Sequence, residues 1–169
     1  DAAAATYLIA KTGFRVGSDD ETGAAVRAFG ATTLLGQHVS VSGDRLSFEF
    51  VGKKGVAIEK TLTDPDLARY VSAKKAGFAD RLFKTTDAGV RDYFKKVAGE
   101  QLKVKDLRTW VGTATAIAEV SRAAVPRTAT ELKKARAAVG DVVARELGNT
   151  RAVALSAYVD PAVFARWAK

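Results

Sequence analysis

Ser42-Gly43-Asp44-Arg45-Leu46-Ser47-Phe48-Glu49-Phe50-Val51-Gly52-Lys53-Lys54-Gly55 is the stretch on which the fold turns. Leu46, Phe48 and Phe50 are apolar and the residues between them polar. That period of two lays one apolar face along an extended chain. A turn signal stands at each end, Ser42-Gly43-Asp44 and Gly52-Lys53-Lys54-Gly55. Before it, Thr32 to Val41 carries Thr, Leu, Val and His with few helix formers. After it, Val56 to Leu62 can return as another strand. The spacing predicts a three-stranded antiparallel meander with His38 on its first strand.

Outward from this sheet the pattern is helical on both sides. Ala2 to Ala10 reads as a helix with no cap before it, so the chain is expected to be a piece of something longer. Gly13 and Gly17 break the pattern around Phe14-Arg15-Val16, and Asp19, Asp20 and Glu21 read as a short helix start or an exposed loop. Helices are predicted for Pro65 to Lys75, from Thr86-Asp87 to about Val97, and for Val104 to Ala124, ending before Pro126. Two more run from Thr128 to about Leu147 and from Asp160-Pro161 to Trp167. Thr128 and Glu131 have the spacing of a capping box, a hydroxyl followed three residues on by a carboxylate. No internal repeat or low-complexity linker interrupts the chain. The expected fold is mainly α (α+β): one helical domain, residues 1–169, with a small three-stranded antiparallel sheet near its N-terminal end.

Composition narrows the function. The 169 residues are 47% hydrophobic and 27% charged, enough apolar surface for a real core. There are no cysteines, which removes disulfides, thiolate catalysis and cysteine-ligated zinc. The one histidine, His38, has no carboxylate cluster at metal spacing around it in sequence, so no metal site is expected. No phosphate-cradling glycine loop of the GxxxxGK[ST] type is present, so no nucleotide cofactor is expected either. No apolar run is long enough to span a membrane, and Asp1 to Ala10 lacks the features of a signal peptide; a cytoplasmic protein is expected. The net charge is +8 and the pI about 9.8. Such a balance favours a polyanionic partner, of which nucleic acid is the commonest.

Five residues are candidates for chemistry, Arg15, Lys53, Arg108, Asn149 and Tyr158, and four of them also have an ordinary reading. Tyr158 alone would be a core or surface aromatic. Arg108, in Lys105-Asp106-Leu107-Arg108-Thr109-Trp110, would be a salt-bridged helix residue. Arg15 would be an ion-pair partner and Lys53 part of a charged hairpin tip; Asn149 stands in Gly148-Asn149-Thr150, upstream of the tyrosine. What lifts them above those readings is their order along the chain.

In that order the sequence resembles type IB DNA topoisomerases of the bacterial or poxvirus-like kind, over nearly its whole length. Phe14-Arg15-Val16-Gly17 resembles the family's first arginine motif, Gly30-Ala31-Thr32-Thr33-Leu34 with His38 the strand that follows, and Phe50-Val51-Gly52-Lys53 the hairpin with the catalytic lysine. Lys105-Asp106-Leu107-Arg108-Thr109 resembles the second arginine motif. Leu147-Gly148-Asn149-Thr150 with Ser156-Ala157-Tyr158 resembles the closing motif. The resemblance implies that Tyr158 attacks a DNA phosphodiester to form a 3′-phosphotyrosyl link. It gives Arg15 and Arg108 the clamp on the nonbridging oxygens, for which an always-protonated, forked guanidinium is suited. Lys53 takes the general-acid role toward the departing 5′ oxygen, with Lys54 its competitor. It further implies double-stranded DNA as partner, a monomer near the nucleoid, no required cofactor, and Mg²⁺ at most as a stimulant acting on the DNA. A smaller N-terminal clamp domain of the family is expected to be missing from these residues.

The departures matter too. Many relatives have His where this chain has Asn149, and an Asn can donate a hydrogen bond to phosphate but carries no charge and shuttles no proton. Arg151 stands where Pro is common, and Leu155 in a stretch often more basic. His38 is read as a structural or phosphate-touching residue rather than as a replacement for the missing catalytic histidine. Two other readings compete. A tyrosine recombinase or integrase shares the Arg, Lys, Arg and Tyr logic but usually has a His where this chain has Lys105. A basic helical DNA-binding module would need the catalytic-looking order to be coincidence.

Overall fold

Leu46, Phe48 and Phe50 are the buried residues of the middle strand in the computed structural model, which describes residues 1–19, 26–74 and 76–167. Strand β1 (Val39–Ser42), β2 (Arg45–Val51) and β3 (Ala57–Thr63) form one antiparallel sheet in the order β1-β2-β3. Leu46 lies opposite Val41 on one side and Leu62 on the other. The described chain is mainly α with this one small sheet near its N-terminal end.

The segment before β1 differs from its expected course. Ala31–Thr33 and Gly36–His38 are single 3₁₀ turns, and the strand begins only at Val39. His38 therefore precedes the sheet rather than lying in it. The cause is local. The Thr33 hydroxyl accepts from the Gly30 N–H at 2.8 Å, and His38 Nδ1 accepts from the Leu35 N–H at 3.1 Å. Each side chain takes a backbone donor that a sheet ladder would otherwise use.

The chain divides into two compact units, Asp1–Val104 and Lys105–Lys169. In the first, helix α1 (Ala2–Thr12) ends at Gly13, whose φ of 68° lets its N–H close onto the Ile9 carbonyl. Ala5, Leu8 and Ile9 of α1 are fully buried, each large side chain contributing about 1.5–3 kcal/mol. Helix α2 (Pro65–Lys74) starts with Asp64 accepting from the Leu67 N–H at 3.0 Å. That bond and the Tyr7 hydroxyl hold the Asp64 carboxyl below its usual pKa. Helix α3 (Asp87–Ala98) is capped by Thr86 and packs Val90 and Phe94 inward, α1 lying against it. Asp19 pairs with Arg81 from coil. The reading of Asp20 and Glu21, and of Lys75 as the last residue of the expected helix, falls outside the described residues.

The second unit consists of helices. Helix α4 (Val104–Arg122) starts on the last residue of the first unit, and α5 (Ala129–Leu147) and α6 (Arg151–Ala157) follow. Thr128 accepts from the Glu131 N–H at 3.1 Å as the capping box requires, but the Glu131 carboxylate reaches back to the Arg127 N–H, one residue beyond the cap. The last short helix is a 3₁₀ stretch, Pro161–Trp167. Val120, Val139, Val143, Leu147, Val159, Phe164 and Trp167 form the core of this unit.

Candidate active site

Tyr158 ends α6, and its position is fixed from α4. The Tyr158 N–H closes α6 onto the Ala154 carbonyl at 3.1 Å. Its backbone then leaves the helix at φ −133°, ψ 0°. Buried Val159 follows and anchors the chain. At Gly112 of α4, a Cβ would lie 2.5 Å from the Tyr158 carbonyl oxygen and 3.1 Å from its Cβ, so only glycine admits this approach. The neighbouring Thr113 hydroxyl lies 3.4 Å from that same carbonyl oxygen and accepts from the Asp160 N–H at 3.2 Å.

One helical turn earlier on α4 stands Arg108, only 5% exposed. A guanidinium so desolvated needs partners. Its Nη2 donates to the Leu147 carbonyl at 3.0 Å, and its Cζ lies 4.9 Å from the centre of the Tyr158 ring. Both contacts suit a cation: the ring face is electron-rich, and Leu147 is the C-terminal residue of α5, the negative end of the helix.

The Leu147 carbonyl faces Arg108 because of how α5 stops. Gly148 takes the left-handed conformation (φ 60°, ψ 50°), its N–H bonds to the Arg145 carbonyl at 3.3 Å, and the Asn149 N–H bonds to the Ala144 carbonyl at 2.8 Å. This is a Schellman ending. Thr150 then caps α6 by accepting from Val153. Asn149 is thereby held in the three-residue link, Gly148-Asn149-Thr150, between α5 and α6. Arg151, the first residue of α6, makes a two-pronged contact with Asp141 of α5 at 2.6 and 2.8 Å. This pairing raises its pKa through the hydrogen bond and the adjacent charge and directs it to α5.

Arg15 and Lys53 belong to the first unit. Arg15 follows α1 on a segment without regular secondary structure, with Phe14 edge-on to Phe48 and Phe50 at 5.4 and 5.0 Å. The Arg15 carbonyl accepts from the Ala31 N–H at 2.8 Å, and the Val51 carbonyl at the end of β2 accepts from the Phe29 N–H at 2.7 Å. The short run from Phe29 to Ala31 thus ties the Arg15 segment to the strand that leads into Lys53. It approaches so closely at Gly30 that a Cβ there would meet the Gly17 nitrogen at 2.5 Å. Lys53 and Lys54 are exposed in the turn between β2 and β3, which the Gly52 N–H closes onto the Val56 carbonyl at 2.7 Å.

His38 serves the first unit as a packing residue. Its ring is edge-on to Phe29 at 4.2 Å and lies 6.2 Å from Phe50, while Nδ1 caps the turn. Burial, and then the Arg27 charge, lower its pKa. Among the described residues no group of His, Asp and Glu could hold a metal ion, and no helix is long and apolar enough to cross a membrane.

The structure therefore brings Arg108, Asn149 and Tyr158 into one neighbourhood of the second unit, and places Arg15 and Lys53 in the first unit on segments joined through Phe29 to Ala31. Gly112 and Thr113 escaped the sequence reading. The signal was available: a glycine inside an apolar-periodic helix marks a close approach.

The family model described as "Eukaryotic DNA topoisomerase I, catalytic core" matches residues 1–164. DNA topoisomerase 1B of Acanthamoeba polyphaga mimivirus is 23% identical over 151 residues, an alignment that covers 79% of this chain. The chain spans 45% of that relative's length.

Proposed function

Because this chain belongs to the DNA topoisomerase I catalytic-core family, we propose that it relaxes supercoiled duplex DNA without ATP, by breaking and resealing one strand through Tyr158. The Tyr158 oxygen attacks a backbone phosphorus. A P–O bond to the tyrosine forms, the bond to the 5′ oxygen breaks, and the phenol proton passes to solvent. Lys53 gives the leaving 5′ oxygen its proton. Arg15 and Arg108 hold the nonbridging oxygens, where negative charge gathers in the transition state, and fixed charged donors are the largest lever available there. Asn149 donates a hydrogen bond to the same phosphate. The strand rotates, and the free 5′ hydroxyl attacks the phosphotyrosine: the bond to the 5′ oxygen forms, the hydroxyl proton returns to Lys53, the P–O bond to Tyr158 breaks, and the tyrosine oxygen regains a proton from solvent.

The observation that carries this reading is the guanidinium of Arg108 against the Tyr158 ring, braced by the Leu147 carbonyl. A packed aromatic needs no buried arginine beside it, whereas a nucleophile for a phosphodiester needs a cation at its side. Replacing Tyr158 by Phe removes one oxygen and keeps the ring. The variant is expected to bind DNA as the parent does and to form no adduct that survives denaturant. An adduct of undiminished yield from Tyr158→Phe would remove Tyr158 from the mechanism.

A further inference from the structure

We infer that Thr113, with Gly112 beside it, is the positioning residue for the tyrosine nucleophile: its hydroxyl grips the backbone on both sides of Val159 and so sets where the Tyr158 oxygen stands. The inference rests on the assignment of Tyr158 as nucleophile. The Thr113 oxygen accepts from the Asp160 N–H at 3.2 Å, which leaves its own proton directed to the Tyr158 carbonyl oxygen at 3.4 Å. A hydroxyl can do both at once, since it has one proton and two lone pairs. Gly112 removes the side chain that would hold this backbone off, a Cβ there meeting the Tyr158 oxygen at 2.5 Å.

The consequence is geometric. Tyr158 closes a helix of only seven residues, and its backbone torsions there are no longer helical, so α6 alone does not fix the ring. The Thr113 contacts add a hold on the backbone that carries the ring, and they hang from the same helix that carries Arg108. Within six positions, α4 thus holds both the guanidinium beside the tyrosine ring and the tyrosine backbone. Nucleophile and charge partner then keep one geometry, although they lie far apart in sequence. In-line attack is sensitive to that geometry: a misplacement of about 1 Å costs on the order of 10²-fold in rate.

The test compares Thr113→Val, which keeps the shape and removes the hydroxyl, with Thr113→Ser, which keeps the hydroxyl. Single-turnover covalent trapping on a duplex that releases its short 5′ fragment reads the cleavage rate at saturating protein. DNA affinity and the thermal midpoint are read on the same samples. Thr113→Val is expected to cleave on the order of 10- to 100-fold more slowly, with affinity and midpoint close to the parent, while Thr113→Ser restores most of the rate. Gly112→Ala should slow cleavage in the same direction by the steric route. Thr113→Val cleaving at the parental rate overturns the inference. So does an equal loss in Val and Ser variants, or a loss that follows the thermal midpoint, since either would mark Thr113 as a packing residue only. The Tyr158→Phe variant, run alongside, separates the two failures: if it still forms the adduct, the nucleophile assignment has failed rather than the role of Thr113.

Discussion

Lys53 and Lys54 stand side by side at the tip of one turn, yet their backbones differ. Lys54 has φ 65°, the one positive value at a non-glycine residue among the described ones. A left-handed backbone costs an L-residue roughly 1–2 kcal/mol. Lys54→Gly therefore removes the charge and suits the turn, and the turn keeps its hydrogen bond from Gly52 to Val56. Lys53 lies next to Gly52 in a backbone that tolerates Ala. If Lys53 protonates the 5′ leaving oxygen, Lys53→Ala should slow cleavage by about 10²- to 10⁴-fold, the usual worth of a general acid. On a DNA with sulfur at that bridging position the defect should largely vanish, because sulfur leaves without a proton. Lys54→Gly should remain within a few-fold of the parent on both substrates. A Lys53→Ala defect of the same size on oxygen and sulfur would take the general-acid role away from Lys53.

At the level of elements, what was legible depended on whether side chains or backbone competition decided the outcome. The sheet was legible because the alternation of Leu46, Phe48 and Phe50 has only one way to bury itself. The run before it was not: Thr32 to His38 has the composition of a strand, and the Thr33 hydroxyl and His38 Nδ1 convert it to turns by capturing backbone donors. A composition of Thr, Leu and His does not distinguish the two. In the candidate site, motif order singled out the charged residues and the tyrosine proposed for chemistry, whereas Gly112 and Thr113 meet the backbone of Tyr158, a contact that exists only once the chain has folded. His38 offers a check on the first unit. Its pKa is lowered from 6.5, first by burial and then by Arg27. At pH values well above 6.5 the ring is neutral in folded and unfolded chains, and it adds no pH dependence. As pH falls below 6.5 the unfolded chain takes up the proton first, so the folded state loses stability until the lower folded pKa is passed. Because His38 is the sole histidine, its ring proton resonance can be followed without assignment. It should titrate below 6.5, and the urea midpoint should fall between pH 7.5 and pH 5.5. A titration midpoint above 6.5 would contradict the buried, Nδ1-accepting ring.

Over the whole molecule the relevant quantity is charge. Lys and Arg number 27 against 19 Asp and Glu. Several cations already face carboxylates at the surface, among them Arg91 with Asp87, Lys95 with Glu100 and Arg122 with Glu119. Such exposed pairs contribute little, typically below about 1 kcal/mol, and yield readily to a phosphate. A DNA duplex offers a dense row of phosphates, and each one neutralised releases condensed counterions. The logarithm of the affinity then falls with the logarithm of salt by about 0.9 per phosphate contacted. If the excess of cations meets the DNA backbone, affinity for two unrelated duplexes should be similar and should fall along the same slope, because phosphate contacts carry no base information. Six to ten contacts would correspond to a loss of about 10³- to 10⁵-fold between 50 and 200 mM salt. Tyr158→Phe should keep that slope, since it removes no charge, whereas neutralising a phosphate-contacting lysine should reduce it by about one. Fluorescence anisotropy over a salt series measures all of these. Affinity that hardly changes with salt, or that differs by orders of magnitude between the two duplexes at every salt concentration, would show that binding does not rest on this excess of charge.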